Sequence, residues 1–192
     1  MLKALDFIDS TKTKKHLLLV YDDIKKGHEI EFHFIKRGLE DKEICIYLTH
    51  GEVGHIRSEM VRHGIDVKHF ERNNLLYIYQ IQNPLEDSAG ILDGVSKLMK
   101  KILPDNKSAF RIVGRLIPDV GIEEAITIQV YIEKIFHNSM FEKFNGSVLC
   151  TYDLSQIQAN NRWRHWLDSL QSYHHATIFN LNEKNSVIVN QT

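Results

Sequence analysis

"LLLVYDDIKKGHEIEFHFI", residues 17–35, is the stretch on which the reading of this chain turns. Residues 17–21 form a short apolar run of strand character. Residues 28–39 place Ile30, Phe34 and Ile35 on one face of a helix that Gly38 is expected to stop. A strand feeding a helix in this way opens many nucleotide-binding units. There the connection is a glycine-rich loop whose successive N–H groups wrap a phosphate, with a lysine to reach it and a hydroxyl for magnesium. Here the connection reads Asp22-Asp23-Ile24-Lys25-Lys26-Gly27. It has a single glycine, no Ser or Thr follows the lysines, and two carboxylates repel phosphate. ATP hydrolysis is not expected.

Outward from this stretch the alternation continues. Residues 44–48, 75–81, 110–114 and 148–152 read as strands, and 176–179 and 187–189 as closing strands, a hairpin across 182–185. Between them, Val53, Ile56, Met60 and Val61 mark a helix ended by Gly64. Further helix faces are residues 91–102 before Pro104, then Ala125, Ile128, Ile132, Ile135 and Phe136, and finally Trp163, Trp166, Leu167 and Leu170. Strands alternating with helices of this length imply an α/β fold: a mostly parallel central sheet with helices on both faces. No linker or repeat divides the chain. Residues 1–13 read as an N-terminal extension and 14–192 as one domain.

The chain has 192 residues, 43% of them hydrophobic and 26% charged, enough for one sizeable core. A net charge of -1 provides no field for nucleic acid or an anionic membrane. No apolar run approaches a membrane span, and the first ten residues lack the apolar stretch of a signal peptide. Cys45 and Cys150 each lie inside an apolar run, as expected for buried free thiols of a cytoplasmic protein.

Ligands of such sheets collect beyond the carboxyl ends of the strands. That points to Tyr21, Asp22 and Asp23, to Thr49, His50, Gly51 and Glu52, to Arg115, and to Tyr152 and Asp153. The histidine pairs 28/33 and 50/55 are each five apart, off the helical spacing of a ligand pair, and neither cysteine has a CxxC partner. No metal and no cofactor are expected; a site assembled across loops, for example from His50, Glu52 and Asp22, is left open. Most of the eleven histidines are expected on solvated helix faces. Cys150 lies mid-strand, where packing is the ordinary role and reactivity is not. Glu123 and Glu124 suit the first turn of a helix, and the two tryptophans suit a core. Arg111, inside an apolar strand, needs a carboxylate such as Asp153 or Glu133, or a ligand.

The segments "HLLLVYDD", "FIKRGLEDKEICIYLT", "EMVRHGIDV", "RIVGRL", "YIEKI", "VLCTYDLSQI" and "YHHATI" occur in the order found in the MEDS domain, which they resemble over residues 14–180. This is the sensory domain of methanogen and methylotroph regulators. The same segments resemble the core of KaiC/RecA-like ATPases, which implies a RecA-like fold without a functional phosphate loop. The resemblance implies a non-catalytic sensor of a small organic molecule, such as a hydrocarbon derivative. Its output would run through a regulatory partner, a kinase or transcription factor, because no helix-turn-helix or kinase segment is visible here; a homodimer is compatible with this. The family pattern falls on Arg111, Gly114, Tyr131, Glu133, Cys150, Tyr152, Asp153 and His174. Two positions depart from it. Gly114-Arg115-Leu116 stands where Gly-Glu-Met is common, which suggests an anionic ligand or a decayed site, and His174-His175 stands where His-Pro is usual. The ligand residues so expected are Tyr21, Asp22, Arg111, Arg115, Cys150, Tyr152, Asp153 and His174. The pocket position of the opening unit would be kept without its nucleotide chemistry. The alternatives are a degenerate KaiC/RecA-like regulator that holds a nucleotide without hydrolysing it, and a scaffold with no small ligand.

Overall fold

The computed structural model describes residues 2–11, 14–87, 93, 97, 100, 109–181 and 186–190. Seven strands form one sheet. They are β1 (His16–Tyr21), β2 (Ile44–Thr49), β3 (Leu76–Gln80), β4 (Phe110–Val113), β5 (Gly146–Asp153), β6 (Ala176–Asn180) and β7 (Val187–Asn190). Their order is β3-β2-β4-β5-β1-β6-β7, and all neighbours are parallel except β6 and β7. The helices are α1 (Leu2–Ser10), α2 (Ile24–Glu40), α3 (Val53–Arg62), α4 (Val67–Arg72), α5 (Glu123–Ile135), α6 (Leu154–Gln158) and α7 (Trp163–Ser172). The helix expected over 91–102 and the turn over 182–185 lie mostly or wholly outside the described residues.

Alternation along the strands builds two cores. Leu17, Leu19, Cys45, Tyr47, Val113 and Leu149 pack with Ile30, Phe34 and Ile35 of α2 on one face. Leu18, Val20, Ile46, Leu48, Ile112, Val148, Cys150 and Tyr152 pack with Ala125 and Ile126 of α5 and with Trp166 and Leu170 of α7 on the other. The stretch expected as an N-terminal extension instead docks: Ala4 and Ile8 of α1 are buried, and the Ala4 N–H donates to Ser186 Oγ at 2.9 Å.

The opening unit differs from its sequence reading. Helix α2 begins at Ile24, four residues early, so only Asp22 and Asp23 separate it from β1. Asp23 is the reason: its carboxylate accepts from the Lys25 N–H at 2.8 Å and caps the helix. The place where a phosphate would meet the helix N-terminus is thereby taken by the chain's own anion. Gly27 is helical, and a Cβ there would lie 2.8 Å from the Tyr21 ring, so this glycine admits an aromatic ring rather than a phosphate.

Gly38 also has a different role from the one expected. The helix runs through it to Glu40, and a Cβ at 38 would lie 2.7 Å from both Arg111 Cδ and Cys45 Sγ. Its bare backbone lets α2 press onto the sheet over Arg111. That arginine is answered there by Glu43, by Asp41 at 3.5 Å, by the Phe34 carbonyl at 3.3 Å and by the Phe34 ring at 5.0 Å. Neither Asp153 nor Glu133 is its partner. Cys45 and Cys150 are free and face opposite sides of the sheet, which prevents a bridge between them. Gly38→Ala is expected to destabilise the fold by roughly 1–3 kcal/mol through overpacking. Gly54→Ala in α3, where nothing lies within 4 Å of the added carbon, should be neutral or stabilise by up to about 1 kcal/mol. Urea unfolding of the two variants measures both.

Candidate functional site

Helix α5 decides where the polar chemistry lies. Its apolar residues predict a face through Ala125, Ile128, Ile132, Ile135 and Phe136; of these only Ala125 is fully buried, and the other residues it buries are Ile126, Gln129 and Glu133. Gln129 and Glu133 stand one helical turn apart and point at the sheet. The Glu133 carboxylate is 3% exposed and both of its oxygens are engaged. Oε1 accepts from Tyr152 Oη at 2.6 Å and from Gln129 Nε2 at 2.8 Å. The Gln129 carbonyl in turn accepts from the Ile117 N–H at 2.9 Å. Oε2 lies 3.2 Å from His16 Nε2, 3.5 Å from Cys150 Sγ and 3.7 Å from His174 Nε2.

Three elements bring these partners together. His16 opens β1 and Cys150 lies two steps along the neighbouring strand, since Leu18 pairs with Cys150. His16 Nε2 and Cys150 Sγ are 3.4 Å apart. His174 follows α7 and precedes β6, and its ring lies against that of His16, tilted by 35° with centroids 4.0 Å apart. His174 Nδ1 meets the Leu170 carbonyl at 2.6 Å, which leaves Nε2 buried and without a hydrogen-bond partner. His137 and His175 flank the group: His16 Nδ1 faces His137 Nδ1 at 3.4 Å, and the His16 N–H donates to His175 Nδ1 at 3.1 Å.

The electrostatics follow from burial. Desolvation alone would raise the Glu133 carboxyl, but hydrogen bonds from His16 and Tyr152, with the nearby imidazoles, hold it down at about 2. Desolvation, reinforced by His16, pushes the His174 imidazole down to about 3, so it is neutral at ordinary pH. Burial first and the Glu133 charge second push the Cys150 thiol and the Tyr152 phenol well up. In this state Cys150 is a thiol and not a nucleophile.

A cavity of about 130 Å³ adjoins the cluster. It lies between α5 and strands β2, β4 and β5. Leu48, Ile112, Val148, Ile132 and Phe136 line it, and Cys150, Glu133, Gln129 and Arg115 are its polar points. The cavity runs under α5 on one face of the sheet and reaches the carboxyl end of β4 at Gly114, Arg115 and Leu116.

The eight expected residues divide into three places. Tyr21, Asp22, Arg115 and Asp153 are at the carboxyl ends of the strands. Asp22 pairs with Lys26 at 3.0 Å. Asp153 caps α6 by accepting from the Ser155 N–H and hydroxyl at 2.8 and 2.7 Å. Tyr21 is buried, and desolvation with Glu31 raises its phenol to about 12. Arg115 donates to the Ile117, Thr151 and Pro118 carbonyls and to Gln156 Oε1, at 2.6–3.0 Å. The fork that would grip an anion holds the 114–121 loop instead, so Arg115 gives no support to an anionic ligand. Cys150, Tyr152 and His174 form the buried cluster. Tyr152 is inside it, with none of its surface exposed, and not on a rim. Arg111 is on the opposite face.

Sequence reasoning missed His16 and Gln129 as site residues. Gln129 was visible as a polar residue one turn from Glu133 within an apolar helix. His16, directly before an apolar strand, carried no signal of its own. Two histidines are exceptions to the solvated helix faces expected for most of them: His16 and His174 are buried, while His55, His63, His69 and His165 are exposed. His50, Glu52 and Asp22 do not assemble a metal-ligand group among the described residues. His16, Glu133, Cys150 and His174 do, with one ligand atom from each all within 4.8 Å of one another.

The family model described as the methanogen/methylotroph, DcmR sensory domain (MEDS) matches residues 15–163. The chain belongs to the MEDS family. Among solved structures, this MEDS domain is similar to a KaiC-like protein from the hyperthermophilic archaeon Pyrococcus horikoshii OT3. The TM-score is 0.58 at 17% identity, over 92% of this chain and 78% of that one. A second Pyrococcus horikoshii OT3 protein matches with a TM-score of 0.56 at 12% identity, over 96% of this chain and 90% of that one. These likenesses show the KaiC-like fold. No curated protein matches the chain. No helix of the described residues is long and apolar enough to cross a membrane. Of the positions marked by the family pattern, Glu133, Cys150, Tyr152 and His174 converge in the buried cluster. Gly114 lines the cavity, and Tyr131 faces solvent on α5.

The cluster gives folding a pH dependence of definite sign. Between about pH 3 and the ordinary histidine value of 6.5, the unfolded chain carries a proton at position 174 that the fold does not. Between about 2 and the ordinary 4.5, the same holds for Glu133. Stability is therefore fully present near neutrality and is lost on acidification, at about 1.4 kcal/mol per pH unit from His174 alone once the pH is below 6. Urea unfolding in EDTA at pH 7, 6 and 5 should show this loss, with a shallower slope in His174→Gln. A flat profile from pH 7 to 5 would contradict the neutral burial of His174.

Proposed function

We propose that this MEDS domain is a non-catalytic sensor that takes a small, largely apolar organic molecule into the cavity under α5. The observation that carries this reading is the cavity itself. It is walled by aliphatic and aromatic side chains, it carries a few convergent polar groups, and its size suits a molecule no larger than benzene. The free N–H of Gln129 Nε2 and the Cys150 thiol would orient a hydroxyl, carbonyl or halogen of the guest. Membership of a sensory family supports the role. The guest would act by population shift, favouring the arrangement of α5 that closes best around it. One face of α5 lines the cavity and the other exposes Tyr131, 54% accessible, so a regulatory partner docking there would read the helix position.

Retained nucleotide binding, the second reading, has less to support it. The β1–α2 connection is two residues long, its helix N-terminus is capped by Asp23, and Arg115 is engaged with carbonyls. The experiment is a thermal-shift and proton–nitrogen NMR titration with short alcohols, ketones, haloalkanes and benzene, alongside ATP. The expected result is a saturable rise in Tm with at least one of the organic classes. Chemical-shift changes should centre on α5 and β5 and vanish in Val148→Phe, which fills the cavity. Saturable binding of ATP with no response to any organic class would overturn the proposal in favour of the nucleotide reading.

A further inference from the structure

We infer that His16, Glu133, Cys150 and His174 bind one divalent transition-metal ion of the zinc type at the inner wall of the cavity. The inference stands on the cluster alone and does not rest on the proposed organic guest.

The donor set is the first argument. Two imidazole nitrogens, one thiolate and one carboxylate oxygen form a borderline-soft set of four, as zinc-type ions take in tetrahedral sites. Metal–ligand bonds of about 2.0–2.3 Å give tetrahedral edges of roughly 3.3–3.8 Å. Four of the six edges here are 3.2 Å for His16–Glu133, 3.4 Å for His16–Cys150, 3.5 Å for Cys150–Glu133 and 3.7 Å for His174–Glu133, and His174 makes the other two with His16 and Cys150. No pair of ligand atoms exceeds 4.8 Å. An ion can enter with small side-chain adjustments.

The support behind the ligands is the second argument. The Leu170 carbonyl holds His174 Nδ1, so the imidazole turns Nε2 into the cluster, where that fully buried nitrogen has no hydrogen-bond partner. Gln129 and Tyr152 both hold Glu133 through Oε1 and leave Oε2 facing the two histidines and the cysteine. Outer hydrogen bonds of this kind fix the tautomer and orientation of metal ligands. An imidazole nitrogen buried without a partner is costly, and an ion supplies the partner.

Charge is the third. A dication, the Glu133 carboxylate and a Cys150 thiolate sum to zero in a buried site. Binding removes the Cys150 S–H proton, which leaves to solvent, one per ion bound. Glu133 and Cys150 also line the cavity, so the ion would form part of its wall.

The test is metal analysis of the purified full chain, then removal of metal with EDTA and titration with Co²⁺ as a spectroscopic probe. The expected result is one equivalent of bound metal. Co²⁺ should give the intense visible bands of a tetrahedral ion and a near-ultraviolet thiolate-to-cobalt band, with one proton released per ion. Cys150→Ser, checked for folding by circular dichroism, should lose the thiolate band, while Cys45→Ser keeps it. Tyr152→Phe, which removes only a support of Glu133, should weaken Co²⁺ binding about 10–100-fold. A folded wild-type chain that binds no Co²⁺ stoichiometrically would overturn the inference. So would a thiolate band that survives Cys150→Ser, or weak binding lacking that band, as from surface histidines.

Discussion

A carboxylate taken out of water must be answered on both oxygens, and much of the domain's polar interior is arranged around that requirement at Glu133. Desolvation disfavours the anion, and loss of one partner of such a buried group typically costs 3–5 kcal/mol. The protein meets the requirement from four directions. Gln129 comes from the same helix, Tyr152 and Cys150 from β5, His16 from β1 and His174 from the turn before β6. These contacts tie α5 to the centre of the sheet, and they leave an apolar cavity beside the tie and not within it. The location of the cavity and the rigidity of its polar wall are consequences of one buried charge.

The sheet keeps this chemistry separate from the rest. Successive residues of a strand point to opposite faces, so Cys150 and Tyr152 meet α5 while Arg111 on the adjacent strand meets α2. Arg111 belongs to a structural device on that side: a bare glycine in α2, an arginine stem lying against it, and Glu43 and Asp41 closing over the guanidinium. The corner between β1 and α2 is filled by Asp23 and Tyr21. The polar cluster lies beneath α5 on the opposite face.

Candidate residues were legible in the sequence to different degrees. Cys150, Tyr152 and Asp153 follow one another at the end of a strand, so they stood out together, yet only the first two enter the cluster. Asp153 has a helix to cap. Arg115 looked like an anion ligand because it stands where the family pattern has a carboxylate, but nearby carbonyls hold its N–H groups. Glu133 and Gln129 were written into the sequence as polar residues one helical turn apart. The isoleucines around them drew the expected face toward Ile128 and Ile132. His174 lies at the amino end of the sheet, just before β6. Cys150 sits deep enough in its strand, and His16 early enough in its own, for all three to meet.

The sequence by itself determined the order of strands and helices, the parallel sheet, the absence of a phosphate loop and the family. All of these depend on local periodicity, on loop chemistry or on the order of short segments, which a chain carries before it folds. Tertiary structure alone decided which polar residues meet. The distance between His16 and Glu133 depends on strand order β5-β1-β6, on the register that sets Leu18 beside Cys150, and on the rotation of α5 over the sheet. None of these is a local property. Each is fixed by how two hydrophobic faces close on one another, and a displacement of one residue in any of them would separate the four ligands.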